Sequence, residues 1–143
     1  FPSPRETAVV RAVRRGIRRE LGVAQGQKAP LLAETLKAVV CELPDTLAGL
    51  RDRALLLVGF SGAFRRSELV AISVEDLEWV EEGLKVRLRR SKADQEGEGT
   101  IVGIPKGSRA SRCPPSTLAR WLEASGITSG PVFREVTRHG EAR

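Results

Sequence analysis

The stretch Gly62-Ala63-Phe64-Arg65-Arg66-Ser67-Glu68-Leu69 follows a very apolar run. Residues 50–61, rich in Leu and Ala, are too apolar for a surface helix and are predicted to be a buried one. Gly62 and Ala63 mark a corner, and a short helix is expected over 67–72. Two adjacent arginines are unusual directly after a buried segment. At least one must point into a groove or pair with an acid, because an unpaired buried guanidinium is prohibitive. Glu68 lies three residues after Arg65, a spacing that suits a carboxylate orienting the guanidinium. A local ion pair that merely ends a helix satisfies the same pattern.

Downstream of Ser73 the period changes from helical to alternating. Leu77 and Trp79, then Leu84, Val86 and Leu88, alternate with polar residues around a Glu82-Gly83 turn. A second turn region, 91–99, is polar and carries Asp94, Glu96 and Glu98; residues 100–105 make a third strand. The run Leu88-Arg89-Arg90-Ser91-Lys92-Ala93-Asp94 puts Lys92 at the mouth of the second hairpin, where its side chain either reaches a ligand or is simply solvated. A helix over 116–125, an extended piece over 129–133 and a weakly patterned polar end follow. Upstream, 31–43 is helical and stops at Pro44 and Asp45. Residues 22–30 (GVAQGQKAP) break every period. Before them Ser3, Pro4 and Glu6 read as the cap, first position and capping box of a helix. Its apolar stripe is Val9, Val10, Val13, Ile17 and Leu21. The fold class is therefore α+β, mostly helical with a small three-stranded antiparallel sheet.

The 143 residues allow one domain and a short appendage. No apolar run approaches the ~20 residues needed to cross a bilayer, and no secretory pattern opens the chain. Cys41 and Cys113 form neither a disulfide framework nor a zinc site, and Cys41, at an apolar helical position, is expected to be a small buried hydrophobe. No membrane and no metal partner is expected. A net charge of +6 and a pI near 10.1 favour an anionic partner, of which nucleic acid is the commonest. Arg14, Arg15 and Arg18 lie off the apolar stripe of the first helix, on faces that either track phosphates or are simply solvated. Aromatic residues make up only 4%, which argues against base stacking on an aromatic platform. His139 is the only histidine; it sits beside Gly140 in a segment expected to fray, so triad chemistry is set aside. Pro105-Lys106-Gly107-Ser108 lacks the upstream glycine of a phosphate loop.

Taken in order, Gly62 to Leu69, Ile72, Asp76-Leu77, three strands and Lys92 resemble the catalytic domain of the tyrosine site-specific recombinases, the phage integrase family. The resemblance implies DNA recombination through strand cleavage and rejoining by a phosphotyrosine intermediate, with no cofactor. It implies that residues 1–22 are the last helix of a core-binding domain, 23–30 a linker, and 31–143 the N-terminal portion of a catalytic domain that is truncated. Arg65 matches the arginine that holds the scissile phosphate, Lys92 the hairpin lysine that acts as general acid, and Glu68 the acid that supports the arginine. Arg66, Arg89, Arg90, Arg14, Arg15 and Arg18 are candidate DNA contacts. Double-stranded DNA is the implied partner, with a homo-oligomer on paired sites and a cytoplasmic, nucleoid-associated location. The chain departs from the pattern in two places. It contains no Tyr, and His139 is followed by Gly140, Glu141 and Ala142 and so heads no His-x-x-Arg motif. As given it is expected to cleave nothing alone, being a fragment of a longer protein. The alternative is a non-catalytic DNA-binding module of the same fold.

Overall fold

Which residues form helices follows from where apolar side chains find a partner. The computed structural model describes residues 7–21, 29–89 and 99–143, and the chain divides into two units, Phe1–Pro30 and Leu31–Arg143. The expected cap at Ser3, Pro4 and Glu6 lies outside the described residues, as do residues 22–28 and the acidic turn. In the first unit, helix α1 spans Ala8–Leu21 and buries no residue. Val9, Val13, Ile17 and Leu21 of its stripe are all exposed.

In the second unit, α2 (Ala33–Glu42) turns Leu36 and Val40 inward, one helical turn apart, onto Leu57. Cys41 follows Val40 and is rotated by a little over a quarter turn, away from that contact. It is exposed rather than the buried hydrophobe expected from sequence. Arg53 ties off the end of α2 by donating to the carbonyls of Val40 (3.4 Å) and Leu43 (2.9 Å). Helix α3 (Leu47–Ser61) begins three residues earlier than the apolar run because Thr46 Oγ1 accepts the Gly49 N–H at 3.1 Å, a side-chain cap. It buries Ala54, Leu57 and Val58. The corner leads to α4 (Arg66–Ala71) and a single 3-10 turn, Val74–Asp76.

Strands β1 (Leu77–Val80), β2 (Gly83–Leu88) and β3 (Thr100–Pro105) form an antiparallel sheet in that order. Leu84, Val86 and Leu88 are buried while Lys85 and Arg87 are exposed, the alternation a half-buried strand requires. Val80 pairs with Gly83, so Glu81-Glu82 is the turn and Gly83 already belongs to β2. Helix α5 (Pro114–Ser125) starts two residues before the expected position. Prolines at its first two positions cost nothing there, because those N–H groups have no partner inside a helix. Gly126 closes α5 in the left-handed region at φ +69°.

One core joins α3, α4, the inner face of the sheet and α5 through Ala54, Val58, Leu69, Val86, Leu118 and Trp121. The segment after α5 is bound into it. Trp121 Nε1 donates to the Val132 carbonyl at 2.8 Å, and the Val132 N–H donates to Ile72 at 2.9 Å. The last ten residues do not fray: Val136 pairs with Ala142 across a tight turn, and both pack on the core. His139 sits at the exposed tip of that turn. No helix among the described residues is long and apolar enough to cross a membrane.

Candidate functional site

The corner after α3 is built by close approach. The Gly62 N–H still bonds Val58 at 2.9 Å, and the Phe64 N–H turns back to Gly59 at 3.1 Å. A Cβ on Gly62 would lie 2.3 Å from Phe64 Cε2, so glycine is needed to admit the ring. The left-handed residue is instead Ala63, at φ +49°. With Phe64 packed on the core, Arg65 becomes the residue that opens α4.

Glu68 does two jobs there. Its Oε2 accepts the backbone N–H of Arg65 at 2.9 Å, and its Oε1 accepts from Arg65 Nη1 at 2.7 Å. The Glu68 side chain is 9% exposed and that of Arg65 is 55% exposed. A nearly buried carboxylate thus fixes a guanidinium that reaches solvent, the orientation that the three-residue spacing predicts. Arg66, the first residue of α4, is exposed.

A second acid repeats the device. Asp76 Oδ2 accepts the Ser73 N–H at 3.0 Å and so closes the 3-10 turn, while its Oδ1 accepts from Arg89 Nε at 2.6 Å. Asp76 is 4% exposed and Arg89 64%. Sequence reasoning matched Asp76 to the entry of the sheet but missed this pairing. Only the cap was signalled, by Ser73-x-x-Asp76, the spacing of a capping box; nothing local pointed to Arg89. Next to it, Glu75 accepts the Gly130 N–H at 2.9 Å. That bond, a backbone bond of its own and the nearby Arg89 hold its carboxyl below the ordinary value, against a smaller opposing effect of burial.

Between α4 and the end of β2 lies a cleft of about 340 Å³, lined among others by Glu68, Ile72, Asp76, Leu88 and Arg89. The acid that holds Arg65 and the guanidinium at the end of β2 therefore share one depression. Lys92 and Arg90 lie outside the described residues. Arg14, Arg15 and Arg18 are exposed on α1, in the other unit. Among the described residues no cluster of three His, Cys, Asp or Glu is placed to hold a metal ion.

No family model matches the chain. Over 138 residues, 95% of its length, the chain is 44% identical to a protein named as an integrase/recombinase. The similar protein is an integrase/recombinase xerD homolog of Selenomonas ruminantium, and the chain spans 40% of that protein's length.

Proposed function

We propose that this chain contributes the first phosphate-binding arginine and the hairpin lysine to site-specific DNA strand cleavage and rejoining. The observation that carries the reading is the Arg65 guanidinium, clamped by Glu68 beside a cleft that runs to the end of β2. Lys92 follows that strand end by four residues in sequence. Residues 1–22 are read as the last helix of a core-binding domain, 23–30 as a linker and 31–143 as the N-terminal portion of the catalytic domain.

The chemistry follows from what each group can do. In phosphoryl transfer, negative charge gathers on the non-bridging oxygens as the attacking group enters. A planar guanidinium meets two of those oxygens at once and stays charged at any working pH. Glu68 holds Arg65 in place beforehand, so little ordering remains for the transition state. Lys92, as general acid, would give a proton to the departing 5′ oxygen. The covalent step needs a nucleophile, and with no Tyr in the sequence it must come from outside these residues. Duplex DNA is the proposed substrate, bound by a homo-oligomer, and the nucleoid the proposed location. Arg66, Arg90, Arg14, Arg15 and Arg18 are proposed backbone contacts.

The test uses the protein expressed from the complete reading frame that encodes this chain, with a nicked duplex that traps the covalent protein–DNA adduct. Arg65→Ala should lower the rate of adduct formation by ~10²–10³-fold, the usual cost of one fixed transition-state donor. Lys92→Ala should slow cleavage, and sulfur in place of the bridging 5′ oxygen should restore it, because a thiolate leaves without a proton. Wild-type rates in both variants would remove the assigned roles. Duplex binding with no adduct would leave the chain a DNA-binding module of the same fold.

A further inference from the structure

The corner and the sheet entry are built alike. In each, one oxygen of a nearly buried carboxylate accepts the backbone N–H that opens a helical turn, and the other holds an arginine. At the corner these are Glu68, the Arg65 N–H and the Arg65 guanidinium; at the sheet entry they are Asp76, the Ser73 N–H and the Arg89 guanidinium. Each carboxylate is fixed twice and its guanidinium stands half or more in solvent. Glu68, Asp76 and Arg89 line the same cleft.

We infer that Arg89 is a second backbone-phosphate site on the DNA, and that Asp76 is the positioning residue that presents it. The inference rests on the DNA reading above and adds a contact and its support to it. A surface arginine held only for stability would need no buried acid that is itself pinned by a backbone N–H. A largely exposed ion pair contributes little to stability, whereas placing a carboxylate at 4% exposure carries a desolvation cost. What the arrangement supplies is direction. Asp76 takes the Nε of Arg89, which leaves the two terminal amino groups, at the outer edge of the same plane, to meet two phosphate oxygens. Neither acid reaches the cleft as a bare charge, since each is covered by its own arginine.

The test is duplex binding by the complete protein as a function of salt, with a mixed-sequence duplex of about 30 base pairs as probe; each phosphate contact contributes a slope of about 0.9 in log affinity against log salt. Arg89→Ala should lower the slope by about one contact, as should Arg65→Ala, and the double variant by about two. Asp76→Asn supplies the readout that a merely structural role would not move. It raises the net charge by one, which by itself tightens DNA binding, yet the positioning role predicts a slope lowered toward that of Arg89→Ala. Circular dichroism checks that each variant is folded; if Asp76→Asn is not, Arg89→Ala and the milder Arg89→Gln decide the matter. An unchanged slope in the Arg89 variants, with Arg65→Ala still lowering it, would overturn this inference and leave the recombinase reading standing. Absence of salt-dependent binding in the wild type would overturn both.

Discussion

Gly62 and Phe64 set the geometry of the arginine corner between them. The ring occupies the space a Cβ would need, 2.3 Å from where it would stand. Gly62→Ala must therefore displace either the ring or the turn, at a cost of about 1–3 kcal/mol, the usual range for overpacking. Urea unfolding should show a lower midpoint at unchanged slope, and duplex affinity should fall with it, because Arg65 is carried on the same turn. Loss of stability with full affinity would mean that the corner does not place Arg65. Glu75 gives a pH-dependent prediction. Its carboxyl lies below the ordinary 4.5, chiefly through the Gly130 N–H. A folded value below the unfolded one gives stability that is complete above 4.5 and is lost as the pH falls through the folded value. Glu75→Gln should melt below the wild type at neutral pH, and the two should converge in acid. A gap of constant size across that range would contradict the assignment.

At the scale of elements, Gly83 is a position in β2 with no room for a side chain. A Cβ there would lie 2.1 Å from the Ile104 carbonyl oxygen, inside the ladder where Gly83 faces Pro105. Gly83→Ala should cost about as much as other overpacked sites, ~1–3 kcal/mol, and should speed hydrogen exchange in β2 and β3 more than in α2. Uniform exchange would show that the pairing does not depend on the glycine. What could be read in advance at this scale follows from where the information sits. Leu84, Val86 and Leu88 announce β2 because one face of the sheet is buried and the other is not, so period two is imposed on the sequence. The length of α3 was legible apart from its cap. The arginine–acid corner was legible because burial leaves a charge few solutions. By contrast, the binding of the last ten residues depends on Val136 and Ala142, two small apolar residues too sparse to make a pattern, and on backbone bonds that any sequence can form. Cys41 was misplaced because only two inward residues fix the face of α2. The Arg89–Asp76 pair spans thirteen residues and a strand turn, so no local period records it.

For the whole molecule, the two units differ in what holds them. The second has a core drawn from helices and sheet together. The first is a helix whose apolar stripe is exposed, so its stability as a helix depends on packing that its own residues do not supply. The second unit brings together what the functional account needs: a clamped guanidinium at a helix corner, another at a strand end, and a cleft beside both acids. The measurement that bears most directly on it is a crystal structure of the complete protein on a duplex carrying its cleavage site. The account predicts one phosphate within hydrogen-bond reach, about 3 Å, of both the Arg65 guanidinium and the Lys92 ammonium. A duplex seated elsewhere, with Arg65 and Lys92 contacting no common phosphate, would contradict it.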